Sequence, residues 1–281
     1  MAVLLVAGCK KNEKTAEVRV HVNDFTISME DFPAKSDPVN PEDYAGVKAI
    51  TLAFYDSDGV QKYSHTQLRA DQTTYTTFGE FTCSLLMGSY TMVVLGHGLK
   101  DEEPAITLNS ATEATFGDYP VRETFVATQT VNVNTTTNAI AVNAVMNRVI
   151  AKVHVISADN RPDNVETLKV TFSAGGKGVN PQTGLATSNT GFTNTLQPNT
   201  AVGTPTNIIS YLFLDTDEQT MDLTIEALDY DGETVFEKDV TDVPLQRNKI
   251  TRLTGMMYTS GTNSTFTINT DFITDTTFVG F

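Results

Sequence analysis

Apolar and polar side chains alternate with a period of two along most of this chain. That repeat belongs to a half-buried β-strand, whose successive side chains point to opposite faces. Val18, Val20 and Val22 alternate with Arg19, His21 and Asn23. Phe25 and Ile27 then fall on the opposite parity, so a bulge or short turn is expected near Asn23-Asp24. Further strands are expected at 47–55, 89–95, 125–133, 140–146, 148–156, 168–172, 208–214, 221–228 and 250–257. No stretch of 11 or more residues has a convincing 3.6-residue period, so helix should be scarce. The 44 Thr residues fit this reading, because β-branched side chains suit a pleated, half-exposed surface. With 40% of residues hydrophobic and 19% charged, the chain can bury a core, as a disordered acidic tail cannot. The expected class is all-β.

A faint internal likeness suggests how the strands are organised. Ile50-Thr51-Leu52-Ala53-Phe54-Tyr55-Asp56-Ser57-Asp58-Gly59 aligns without gaps onto Leu223-Thr224-Ile225-Glu226-Ala227-Leu228-Asp229-Tyr230-Asp231-Gly232. Each is a strand running into an Asp-Gly hairpin turn and a further strand. Two β-sandwiches of related topology in tandem are therefore expected, divided near Asn147 into residues 9–146 and 147–281. Residues 29–46, with Pro33, Pro38 and Pro41 among acidic side chains, read as a surface loop.

Several function classes are disfavoured. The formal net charge of −15 argues against a nucleic-acid partner, which needs clustered positive charge. His21, His65, His97 and His154 sit in four separate segments with no metal-presetting spacing, so no metal and no cofactor are expected. No nucleophile elbow, phosphate loop or dinucleotide fingerprint is present, and no catalytic residue is assigned. The paired carboxylates Asp56/Asp58, Asp229/Asp231 and Asp215/Asp217 could face Ca²⁺. They lack the further oxygens of a calcium loop and read more simply as turns.

The two chain ends carry the candidate sites. Residues 1–8 are apolar or small and end in Val6-Ala7-Gly8 before Cys9, and Lys10-Lys11-Asn12-Glu13-Lys14 follow. That pattern looks like the tail of a bacterial lipoprotein signal peptide, with Cys9 acylated and the polar residues as a tether. No later run approaches 18 apolar residues, so acyl lipid would be the membrane attachment. Cys83, the second cysteine, reads as a small buried hydrophobe. At the other end Phe266, Ile268, Phe272 and Phe278 share one parity, with Thr267, Asn269, Asp271 and Asp275 between. This amphipathic strand either closes its own sheet or is donated to the open edge of another subunit.

These features together resemble the fimbrillin superfamily of Bacteroidetes pili. The residues that carry the resemblance are Val6-Ala7-Gly8-Cys9, Phe54-Tyr55-Asp56 with Asp58-Gly59, and Gly88-Ser89-Tyr90-Thr91. Asn147-Arg148-Val149-Ile150-Ala151-Lys152-Val153 and Val243-Pro244-Leu245 with Asn248, Thr251 and Gly255 complete it. The resemblance implies two tandem transthyretin-like β-sandwich domains and an outer-membrane lipoprotein of a Gram-negative cell surface. Its implied partners are other fimbrial subunits, outer-membrane lipid and host or bacterial surface receptors. Stalk subunits of that superfamily are cut after an arginine in the loop following the first strand. The loop at 30–46 here has Lys35 and no Arg, which favours an anchor or accessory subunit over a polymerising stalk subunit with donor-strand exchange. A surface glycan-binding lipoprotein is the alternative from a different class. With no Trp, it would stack sugars on Tyr or Phe.

Overall fold

The computed structural model describes residues 14–26, 44–100, 102–135, 137–198, 200–259 and 266–270, and among them there is no helix. The loop expected at 29–46 lies for the most part outside them. The first half of the chain contributes β1 (Thr15–Thr26), β2 (Ala49–Tyr55), β3 (Gln61–Leu68), β4 (Glu80–Leu86), β5 (Gly88–His97), β6 (Thr107–Ser110), β7 (Glu113–Thr115), β8 (Thr124–Val133) and β9 (Ile140–Arg148). The second half contributes β10 (Ala151–Asn160), β11 (Thr167–Phe172), β12 (Gly178–Asn180), β13 (Leu185–Ala186), β14 (Phe192–Leu196), β15 (Pro205–Leu212), β16 (Glu218–Leu228), β17 (Thr234–Gln246), β18 (Ile250–Gly255) and β19 (Thr267–Asn269). The expected bulge is present, since the β1–β9 register shifts between Val22 and Asp24. One expectation needs correction: Arg148 ends β9 and does not open the next strand, which begins at Ala151.

Both halves use one order of strand neighbours. In the first, β3-β2-β5-β8 runs on through β9-β1-β4 as a single seven-stranded sheet. In the second, β14-β11-β16-β17 and β15-β10-β18-β19 are separate four-stranded sheets. Substituting β10 for β1, β11 for β2, β14 for β3, β15 for β4, β16 for β5, β17 for β8 and β18 for β9 reproduces every pairing within these sheets except β8–β9, which joins the two layers of the first half alone, and β18–β19, which has no counterpart in the first half. The unusual parallel pairs β1–β9 and β10–β18 are included. The ten-residue likeness in the sequence does not follow this correspondence, because it aligns β2 with β16 whereas the topological equivalent of β2 is β11. Its common element is the turn. Asp56 Oδ1 accepts the amides of Asp58 (3.0 Å) and Val60 (2.9 Å). Asp229 Oδ1 accepts those of Asp231 (3.0 Å) and Glu233 (2.9 Å). Gly59 and Gly232 take the positive φ (75° and 82°) that each turn needs. These carboxylate oxygens are thus occupied by their own turns.

Three apolar clusters follow from the alternation. The inner face of the seven-stranded sheet packs Val18, Leu52, Phe54, Phe81, Met92, Phe125 and Met146. Gln67 ties its two edge strands, donating to Glu80 O (2.7 Å) and accepting from Gly79 N (2.8 Å). The second cluster holds Val153, Val155, Leu168, Phe172, Leu223 and Leu253 between the two sheets of the second half. The third joins the halves. In β2 and β5 both faces are buried, as the unbroken run Met92-Val93-Val94-Leu95 allows. Their outer residues Tyr55, Val93 and Leu95 meet Phe116, Val179 and Phe213. The cover is a small sheet in which β7 pairs with β12 (Gly178↔Thr115, Val179↔Ala114), so an insertion from each half pairs with the other.

Candidate functional site at the junction and the chain ends

The inward face of β9 reads Val142, Ala144, Met146 and then Arg148, all buried. The last inward position of an apolar strand therefore holds a guanidinium, with its side chain 3% exposed. Such a charge must be paired. Arg148 Nη2 lies 2.8 Å from Glu123 Oε1, and Tyr44 Oη donates to Glu123 Oε2 at 2.8 Å. The Arg148 guanidinium also lies 5.3 Å from the Phe125 ring centre, and Phe125 meets Tyr44 edge-on. From the second half, Asn248 presents Oδ1 to Arg148 Nη1 at 3.5 Å and donates its backbone N–H to Ile150 O at 2.7 Å. Asn248 has φ 62°, a conformation Asn tolerates better than most residues. Burial, with Glu123 nearby, pushes the phenols of Tyr44 and Tyr211 well above their ordinary range, so both stay protonated. Arg148 and Asn248, far apart in the sequence, thus meet at the seam between the halves. Nothing in the local sequence pattern around Glu123 or Tyr44 marks either as their partner.

Beside this cluster runs a groove of about 700 Å³, lined by Gln129, Asn143, Gln182, Thr183, Asp217 and Arg247 among others. Its walls include amides, hydroxyls and an ion pair, Arg247 to Asp217 at 2.7 Å.

His97 lies near the same seam, fully buried and edge-on to Phe116. Its Nδ1 is 2.7 Å from Gly98 O, and its Nε2 accepts the Ile106 N–H at 3.2 Å, an arrangement that requires the neutral ring. Burial lowers its pKa to about 4, partly opposed by the Gly98 carbonyl and by Glu103, which is itself paired with Arg122. A folded pKa below the unfolded one gives stability that is complete above about pH 6.5 and is lost as pH falls toward 4. That shift corresponds to roughly 3 kcal/mol. Unfolding free energies at pH 7 and pH 4.5 should therefore differ by about 2–3 kcal/mol less in His97→Gln than in the wild type. Equal pH dependence in the two proteins would exclude this role. The other histidines are dispersed: His21 is 3.3 Å from Glu80, His65 packs edge-on to Phe81, and His154 bonds Asn207. Cys83 is buried in the first core, with its thiol pushed up to about 11 by burial.

Of the residues expected at the chain ends, Cys9, Phe272 and Phe278 lie outside the described residues. Phe266 and Ile268 pack against the second core, and β19 pairs antiparallel with β18 (Leu253↔Ile268). The segment that follows β18 is tied down by Asp159, which accepts the amides of Met257 and Tyr258 at 2.8 Å each. Among the described residues, no helix is long and apolar enough to cross a membrane.

A family model described as a family of unknown function (DUF6562) matches residues 12–279. The chain belongs to that family. No curated protein matches it. Among solved structures, the fimbrial anchor protein Mfa2 from Porphyromonas gingivalis aligns with TM-score 0.50 and 14% identity, over 91% of this chain and 98% of that one. A candidate adhesin from Bacteroides ovatus aligns with TM-score 0.53 and 13% identity, over 90% and 91%. Another, from Bacteroides thetaiotaomicron, gives 0.50 and 12%, over 92% and 96%. This DUF6562 chain therefore has the fold of Bacteroidetes fimbrial proteins.

Proposed function

We propose that the chain is a non-enzymatic cell-surface lipoprotein of a pilus, an anchor or accessory subunit in adhesion, held to the outer membrane through acylated Cys9. The observation that carries this reading is a fold shared over nearly the whole chain with a fimbrial anchor and two candidate adhesins. The matching neighbour order of the two halves supports two tandem transthyretin-like sandwiches, 9–146 and 147–281. Several polar side chains among the described residues have structural work. Arg148 and Glu123 pair at the seam, and Asp56, Asp159 and Asp229 hold backbone amides. Its partners on this reading are other fimbrial subunits, outer-membrane lipid and surface receptors. A strand donated to a neighbour would be formed by residues past Thr270, because Phe266 and Ile268 are engaged by the chain's own second core. Glycan binding is the second reading, favoured by the amide and hydroxyl lining of the junction groove, which suits sugar hydroxyls.

The anchor is tested by Cys9→Ala. Acyl chains contribute about 0.8 kcal/mol per buried CH₂, and two or more of them give stable attachment. The wild type is expected in the detergent phase of a phase separation and the variant in the aqueous phase. Equal partitioning would contradict the lipoprotein reading.

A further inference from the structure

Among the described residues, eight large apolar side chains are exposed; two of them, Tyr119 and Val145, lie elsewhere, and the other six gather at the two poles of the molecule. Val202, Tyr230 and Met256 lie at the far end of the second half, just beyond the pairs Asn160↔Pro205, Thr167↔Leu228 and Ser157↔Gly255. Val60, Leu86 and Met87, at 51%, 38% and 55% exposure, lie at the opposite pole. Strand register fixes their placement. Leu86 is opposite Thr15, Gly88 opposite Val133, and Tyr55 is paired with both Gln61 and Thr91. The β4–β5 turn and the β2–β3 turn thus share one end of the seven-stranded sheet with the first residue of β1.

Chain length says what this pole faces. Thr15 follows Cys9 by six positions, and an extended chain spans at most about 3.3–3.6 Å per residue, so Thr15 stands within roughly 20 Å of the acylated sulfur. Lys10, Lys11 and Lys14 lie in that tether, although the chain as a whole carries −15, and they favour anionic headgroups. The flexible, unbranched Met87 at the tip of a tight turn suits an irregular apolar surface.

We propose that the Leu86–Met87 turn, with Val60 beside it, rests in the headgroup region of the bilayer, orienting the subunit with its second half away from the membrane. This rests on the acylation of Cys9. The test uses the acylated full chain in vesicles of phosphatidylethanolamine and phosphatidylglycerol, with an environment-sensitive fluorophore on Met87→Cys or on Tyr230→Cys. Acylated Cys9 has no thiol and Cys83 is buried, so the introduced cysteine takes the label. Emission from position 87 should shift to the blue and be quenched at least about twofold by lipid-borne quencher, while position 230 behaves as in water. A label at 87 as water-exposed as that at 230, on protein that floats with the vesicles, overturns the orientation and leaves acylation standing. The orientation is equally overturned if position 87 is shielded only after fibre subunits are added. Protein that fails to float overturns both.

Discussion

Replacing Arg148 with Ala is expected to lower the unfolding free energy by about 3–5 kcal/mol, because it strands a carboxylate that the fold has largely removed from water. Glu123 is 15% exposed and, among the described residues, would keep the Tyr44 hydroxyl as its side-chain partner. The seam would lose a group that touches both halves, Glu123 on one side and Asn248 on the other. Urea unfolding should show a lower midpoint. The separation of one transition into two would further indicate that the halves melt independently once the seam is opened. Adding Glu123→Gln to Arg148→Ala should recover a substantial part of the loss, since it removes the stranded charge. A loss below about 1 kcal/mol, unaffected by the second substitution, would mean that the pair behaves like a solvent-exposed one.

What is legible in the sequence is what short-range pattern controls. The Val18-Val20-Val22 alternation and its parity change give β1 and its bulge. The doubly apolar run in β5 gives a strand buried on both faces. The Asp-Gly segments give two hairpin turns whose Asp side chains hold the turn amides. β4 also carries a signal, since Phe81, Cys83 and Leu85 alternate cleanly, although it is absent from the strands expected above. β3 is less legible: it is an edge strand with mostly polar, partly exposed residues, so burial imposes no strong period on it.

The junction is hidden for a different reason. Arg148 carries a usable signal, a charge at the next inward position after Val142, Ala144 and Met146. Placing it in the following strand conceals that parity. Its partners carry none: Tyr44 and Glu123 are 79 residues apart, and β7 and β12 pair between distant insertions. Only the topology brings them together. The ten-residue likeness misleads for a related reason. A common turn chemistry recurs wherever a hairpin needs it, so it locates two turns correctly while equating strands that occupy different places in their sheets.

The second large effect concerns the cell surface. If the chain links a fibre to acyl lipid, its removal breaks the connection that this subunit provides, and the fibre should be lost from the cell while its own synthesis continues. The loss should be nearly complete, because a fibre without a lipid-held base has no comparable hold on the bilayer. The most direct measurement is to shear cells with and without the gene, separate fibres from cell bodies and medium, and quantify both the fibre antigen and this chain in each fraction. The account predicts the chain at the outer membrane with attached fibres in the wild type, and fibre antigen moved from cell bodies to medium when the gene is absent. Unchanged numbers of attached fibres without the gene, with the chain found in no fibre-bearing fraction of the wild type, would contradict it.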